Sequence, residues 1–277
     1  MNSKFRRFDY LSWPEASQAA SKEGSTLVWP FGACEQHGPH LPLNTDILFA
    51  ERILTEVLNR LPDEMPIWML PPQEIGFSPE HTGFPGTLTL SADLMLGLVS
   101  EIGNQLALMK VKRLIFFNAH GGQIGLLQTI ARQLRKECPF MAVLPCFLWS
   151  GVEALKDLLP NREVEEGLHA ALAETSLMLS LQSELVGNAR PFDGDENSFP
   201  KPPIPEGWSL EGAAPYAWLT KDISSTGVVG DSRGANYELG ERLQEALIDH
   251  WTKLFLNLMN SDWPPLNPLK SSNSNKD

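Results

Sequence analysis

The chain has 277 residues, with 22 basic against 34 acidic side chains and a net charge of −12. That length suits one large α/β domain or two small ones, and the acidic balance excludes a nucleic-acid groove or an anionic membrane surface as the main partner. No apolar run approaches a membrane span, and Cys34, Cys138 and Cys146 are widely spaced without a CxxC pair, which predicts a reduced, cytoplasmic protein without a disulfide framework.

The opening stretch, Met1 to Tyr10, carries basic residues with no apolar run behind them, unlike a secretory leader. Leu11 to Lys22 reads as a short helix with Pro14 in its first turn. Thr26 to Phe31 is apolar and β-prone, and the strand it predicts ends in a polar loop, Gly32 to Asp46, that feeds a helix reaching about Leu61. Ile47, Ala50, Ile53, Leu54, Val57 and Leu58 recur there at helical spacing. In the loop Glu35 and His37 stand two apart, so an extended backbone turns both side chains to one face. Asp46 sits at the helix start, where an aspartate is also an ordinary N-cap. Three hard or borderline ligands in one Gly/Pro-locked loop suit zinc, manganese or iron. Cys34, beside Glu35, reads as a small apolar residue facing a core and not as a ligand or nucleophile.

Ile67 to Leu70 is a second buried strand. Gly76 to Thr87 follows as a Gly/Pro-rich loop of the kind that carries function, and Ser78 and His81 are its chemically able residues, although His81 can equally pack the loop. A long helix spans Ser91 to Lys110. Arg113 to Phe117 is apolar throughout and therefore central. It delivers Asn118-Ala119-His120-Gly121-Gly122-Gln123 into a helix carrying Ile124, Leu127, Ile130 and Leu134. A Gly-Gly before a helix can cradle an anion, but neither a Walker lysine nor a full GxGxxG accompanies this one. His120 therefore reads as another metal ligand, with Gly121 and Gly122 letting a substrate approach the backbone.

Met141 to Trp149 is a further strand. A helix over Glu163 to Gln182 is interrupted by Gly167. His169 and Glu174 lie five apart and would not share a helical face, which predicts a start near His169 and Ala170 with His169 at the mouth. Leu172, Leu177, Met178 and Leu181 around Glu174 predict its burial, and a buried carboxylate needs a partner such as a metal. Residues 188–222 form a Pro-, Gly- and Trp-rich excursion suited to subunit contact. The last helix runs from about Gly234 to Met259, and the tail from Asn260 has a disordered composition.

Four blocks resemble the creatininase (creatinine amidohydrolase) family: Glu35-Gln36-His37-Gly38-Pro39-His40-Leu41-Pro42-Leu43 with Thr45-Asp46, Glu80 to Thr87, Asn118 to Gln123, and His169 to Ser176. Ser224 to Asp231 also resembles a turn the family carries before its last helix. The likeness, to an HGG-type member, implies a single three-layer α/β/α domain over 1–259 with a mainly parallel central sheet, followed by the tail at 260–277. It implies two divalent ions per subunit, zinc, manganese or iron, and assembly as a hexamer. Our assignment bridges the ions with Asp46, places Glu35 and His120 on one and His37 and Glu174 on the other, and makes His169 the proton carrier beside Glu174. Ser78, His81, Gly121 and Gly122 then border the substrate.

Two positions depart from the creatinine hydrolases proper. Their glutamate ligand two residues after the histidine matching His120 is Gly122 here, so Glu174 supplies that carboxylate. Their tryptophan and aspartate before the histidine matching His169 are Glu165 and Glu166 here, which removes a wall of the creatinine pocket. The expected activity is metal-dependent hydrolysis of a C–N bond in a small cyclic amide or formamide, with creatinine the named candidate, by a metal-activated hydroxide. The alternatives are a relative that trims a short precursor peptide in cofactor maturation, and a catalytically silent metal-binding assembly protein.

Overall fold

The computed structural model describes residues 6–193 and 205–264. In chain order it contains α1 (Trp13–Ala20), β1 (Thr26–Phe31), α2 (Thr45–Arg60), β2 (Ile67–Met69), α3 (Ala92–Leu108), β3 (Arg113–Asn118), α4 (Ile124–Glu137) and β4 (Ala142–Phe147). There follow α5 (Leu155–Leu158), α6 (Asn161–Glu166), α7 (Leu172–Gln182), β5 (Phe192–Asp193), α8 (Thr220–Ile223), β6 (Gly230–Asp231) and α9 (Tyr237–Met259). Strands β2, β1, β3 and β4 lie side by side in that order, all parallel, while β5 and β6 pair antiparallel. No helix among the described residues is long and apolar enough to cross a membrane.

The apolar strands are buried because both faces of the sheet are covered, as a parallel sheet requires. Side chains alternate between the faces. Val28, Ile115 and Phe117 pack with α2, α7 and α9. Leu27, Trp29, Phe31, Leu114 and Phe116 pack with α1, α3 and α4 on the other side. This is the three-layer arrangement the sequence predicts. Pro30 sits in a central strand, where a missing N–H normally costs a ladder bond. It is tolerated because β2 stops pairing at Met69, before the register reaches Pro30.

Register places the chemistry. Phe31 at the end of β1 pairs with Asn118 at the end of β3, which in turn pairs with Phe147 at the end of β4. The loops after β1 and β3 therefore leave one edge of the sheet together. Strand order also reverses direction between them, and such a crevice is where open α/β sheets bind ligands.

Three local expectations change. The helix expected to begin near His169 and Ala170 begins at Leu172, because Ala170 takes a left-handed conformation (φ 52°) and His169 pairs with Val229 in extended form. Asp46 is not the N-cap of α2; Asn44 occupies that position and Asp46 lies in the first turn. Cys34 is only half-buried, its Sγ 3.9 Å from the Gly86 carbonyl, so it does not face the core. The predicted excursion over 188–222 falls partly, and the tail beyond Pro264 wholly, outside the described residues.

Candidate metal centre

The loop after β1 folds back beneath α2. Gly32 permits this, since a Cβ there would lie 2.5 Å from the Ile47 backbone nitrogen. That contact brings Asp46 over the loop, and Glu35, His37 and Asp46 are all buried. From β3, Asn118 accepts a hydrogen bond from the His120 amide at 3.0 Å and another from Gln123 Nε2 at 2.9 Å. Gln123 Nε2 also donates to the Gly32 carbonyl at 3.0 Å, tying the two loops together.

Four nitrogens surround one oxygen. Glu35 Oε1 lies 3.9 Å from His37 Nε2, 3.4 Å from His81 Nε2, 3.3 Å from His120 Nδ1 and 3.8 Å from His169 Nδ1. Asp46 gives one oxygen to each of two rings, Oδ1 to His37 Nε2 and Oδ2 to His120 Nδ1, both at 3.3 Å. Glu174, half-buried, joins His37 and Asp46 in a group whose ligand atoms lie within 4.8 Å of one another. Its Oε2 accepts from the Ala170 amide at 2.6 Å.

The far side of each ring shows what these atoms face. His37 Nδ1 lies 3.2 Å from the Glu35 carbonyl, His169 Nε2 2.7 Å from the Gln36 carbonyl, and His120 Nε2 3.1 Å from the Phe77 carbonyl. A carbonyl can only accept, so these nitrogens carry the hydrogen when the rings are neutral. The opposite nitrogens then point lone pairs at carboxylate oxygens. Lone pair against lone pair is repulsive unless a cation lies between. Accordingly Glu35 Oε1, His37 Nε2 and Asp46 Oδ2 are buried without a hydrogen-bond partner. The donor set of imidazoles and carboxylates, each held from behind, fits divalent metal.

Without a cation the rings take up protons instead. Burial pulls the His37 pKa down, but Asp46 and Glu35 outweigh it and push it up to about 9. His120 is raised in the same way against its own burial. Burial raises Glu35, and burial raises Glu174 to about 7. His169 and His81 are both lowered, first by burial and then by the neighbouring rings, so both are neutral.

His81 Nδ1 meets both Gln36 Nε2 and Thr220 Oγ1 at 2.8 Å, and its Nε2 faces the cluster. Gln36 also donates to the Gly227 carbonyl at 3.0 Å, joining the first loop to the turn before β6. His40, in the same motif, is structural: its Nε2 lies 2.8 Å from Thr175 Oγ1, and burial lowers it to about 4.

A cavity of about 880 Å³ opens over the cluster. Glu35, Asp46, His81, His120, His169 and Glu174 line it, together with Gly121, Gly122, Trp149, Tyr216 and Trp218. Ser78 and Gly122, both expected to border the substrate, have the following neighbours. Ser78 is fully buried and outside the cavity lining; its hydroxyl donates to Glu35 Oε2 and holds that ligand in place. Gly122 lines the cavity beside Gly121, and the Glu80 carboxylate stands where a Cβ at 122 would lie. Glu165 and Glu166 are exposed on α6, and Glu166 pairs with Arg162 at 2.9 Å. Sequence reasoning passed over Gln36 and Glu80, although both stand inside the matched motifs. The signal available for them was their adjacency to His37 and His81.

The family model described as creatinine amidohydrolase matches residues 9–255. The chain is 32% identical over 258 residues to a mycofactocin precursor peptide peptidase of Mycobacterium tuberculosis, covering 90% of this chain and 93% of that one. It is 27% identical over 255 residues to a creatinine amidohydrolase of Pseudomonas putida, covering 86% and 91%. Among solved structures it resembles one named "Creatininase Mn", with a TM-score of 0.72, 23% identity, and coverage of 91% of this chain and 98% of that one.

Proposed function

The chain belongs to the creatininase family and is a hydrolase of C–N bonds, and from that premise we propose that it trims a short peptide with the help of two divalent metal ions. The observation that carries the peptide reading is the cavity of about 880 Å³ above the ligand cluster. Pockets of ~300–1,000 Å³ hold drug-sized ligands, and this one lies near the top of that range, which leaves room for a short peptide. The relative at 32% identity, named for peptidase action on a precursor peptide, supports the same substrate class.

Glu35, Asp46 and His120 would hold one ion and His37, Asp46 and Glu174 the other, with zinc, manganese or iron the candidates that suit the donor set. Such ions lower the pKa of water and polarise a carbonyl oxygen. The chain's own residues then orient and move protons. His169, neutral and held through Nε2 by the Gln36 carbonyl, presents Nδ1 to the cluster, where it can take a proton from the attacking water and pass it to the leaving nitrogen. His81 turns Nε2 towards the cluster, 3.4 Å from Glu35 Oε1, where it can orient substrate. Gly121 has nothing within 4 Å of where a Cβ would stand, so substrate backbone can lie against it.

A small cyclic amide is the second reading, supported by the likeness to the Pseudomonas putida creatinine amidohydrolase. Incubating metal-loaded protein with creatinine and with a library of short peptides, and reading products by mass spectrometry, separates the two. We expect peptide cleavage that a chelator abolishes. Turnover of creatinine with intact peptides would overturn the peptide reading and keep the hydrolase.

A further inference from the structure

We propose that Glu80 is the positioning residue that fixes His120 for metal binding, and that Gly122 leaves the room in which it does so. The proposal rests on the metal-binding reading above and extends it to a residue outside the ligand set.

His120 Nε2 meets two groups, the Phe77 carbonyl at 3.1 Å and Glu80 Oε1 at 3.2 Å. Neither can donate, so Nε2 carries the hydrogen and Nδ1 is left to face Glu35 Oε1 and Asp46 Oδ2. A carbonyl alone would set the tautomer. An anionic acceptor also makes the ring a stronger donor to a metal and locks its rotation. Glu80 is mostly buried, its side chain 14% exposed, and sits on the short turn Pro79–His81. That turn is pinned from α8, where Thr220 Oγ1 donates to the Glu80 carbonyl at 3.0 Å.

Gly122 completes the arrangement. A Cβ at that position would overlap the Glu80 carboxylate and come within 2.7 Å of His120 Nε2. The backbone there takes no left-handed conformation, so the glycine is required for space and not for its torsion angles. Any side chain at 122 and the Glu80 carboxylate therefore exclude each other.

The test is manganese titration in competition with a chromophoric chelator, together with circular dichroism and melting of the metal-free proteins. Glu80→Ala should bind manganese about 10- to 100-fold more weakly while reaching the same number of ions at saturation. Glu80→Gln should lose less, since its amide oxygen still accepts from Nε2. Gly122→Ala should also weaken binding, because its Cβ displaces the Glu80 carboxylate and crowds His120 Nε2. A Glu80→Ala protein that binds as tightly as the parent would overturn the proposal, and so would one that saturates one ion short, which would make Glu80 a ligand itself. Absence of binding by the parent protein would instead overturn the metal reading on which the proposal stands.

Discussion

Asp46 presents one carboxylate oxygen to each of two imidazoles, and that single residue links what would otherwise be separate ligand groups. Asp46→Ala should therefore lose both ions while the chain stays folded, checked by elemental analysis beside circular dichroism; retained metal would contradict the bridging role. A second residue, outside the ligand set, offers a pH test. Glu163 is buried, accepts from the Ala173 amide at 2.8 Å, and is raised by burial to about 7. A carboxyl whose folded pKa lies above its unfolded value holds its proton more tightly in the native state. Its stabilisation is present below the unfolded pKa near 4.5 and is lost as pH rises towards 7. Glu163→Gln, which keeps the acceptor, should flatten that fall by on the order of 1–3 kcal/mol between these limits. An unchanged pH dependence in urea unfolding would sink the assignment.

At this scale the sequence was most readable where chemistry is local. Glu35, His37 and Asp46 share one loop, and His120 follows an unmistakable central strand. Glu80, Gln36 and the true contact of Ser78 were not readable. Their partners lie tens of residues away, His120 for Glu80 and Glu35 for Ser78, and only the fold brings them together.

Elements deliver the ligands by contact between backbones. Helix α2 rests on Gly32, so the helix that carries Asp46 is positioned by the absence of a side chain in the loop that carries Glu35. Gly32→Ala should push α2 outward, cost about 1–3 kcal/mol as overpacking does, and weaken metal binding together with stability; thermal melting and metal titration of one preparation would show both. Wild-type affinity in that variant would contradict the dependence of Asp46 on this contact. The strands were legible because both faces are apolar, and α2 and α4 because their buried residues recur at helical spacing. The start of α7 was not, because Ala170 adopts a conformation that alanine seldom takes. It swings His169 into extended pairing with Val229, a contact sixty residues on and invisible to periodicity.

The whole molecule sets the reach of the site. Tyr216 and Trp218 line the cavity, so the Trp-rich excursion contributes to it. The expectation of a hexamer comes from resemblance alone. Light scattering tests it, and a mass near the 30.8 kDa of one chain would contradict it. The alternation of strands and amphipathic helices was open to sequence reasoning, and the three-layer order came with the family resemblance. The depth of the cavity was not legible, since it is the space left between loops that follow different strands.

The most direct test of the metal centre is an anomalous difference map from crystals soaked in manganese. Two peaks flanking the Asp46 carboxylate, one beside Glu35 and His120 and the other beside His37 and Glu174, are the predicted result. A map with no peak among these five side chains would contradict it.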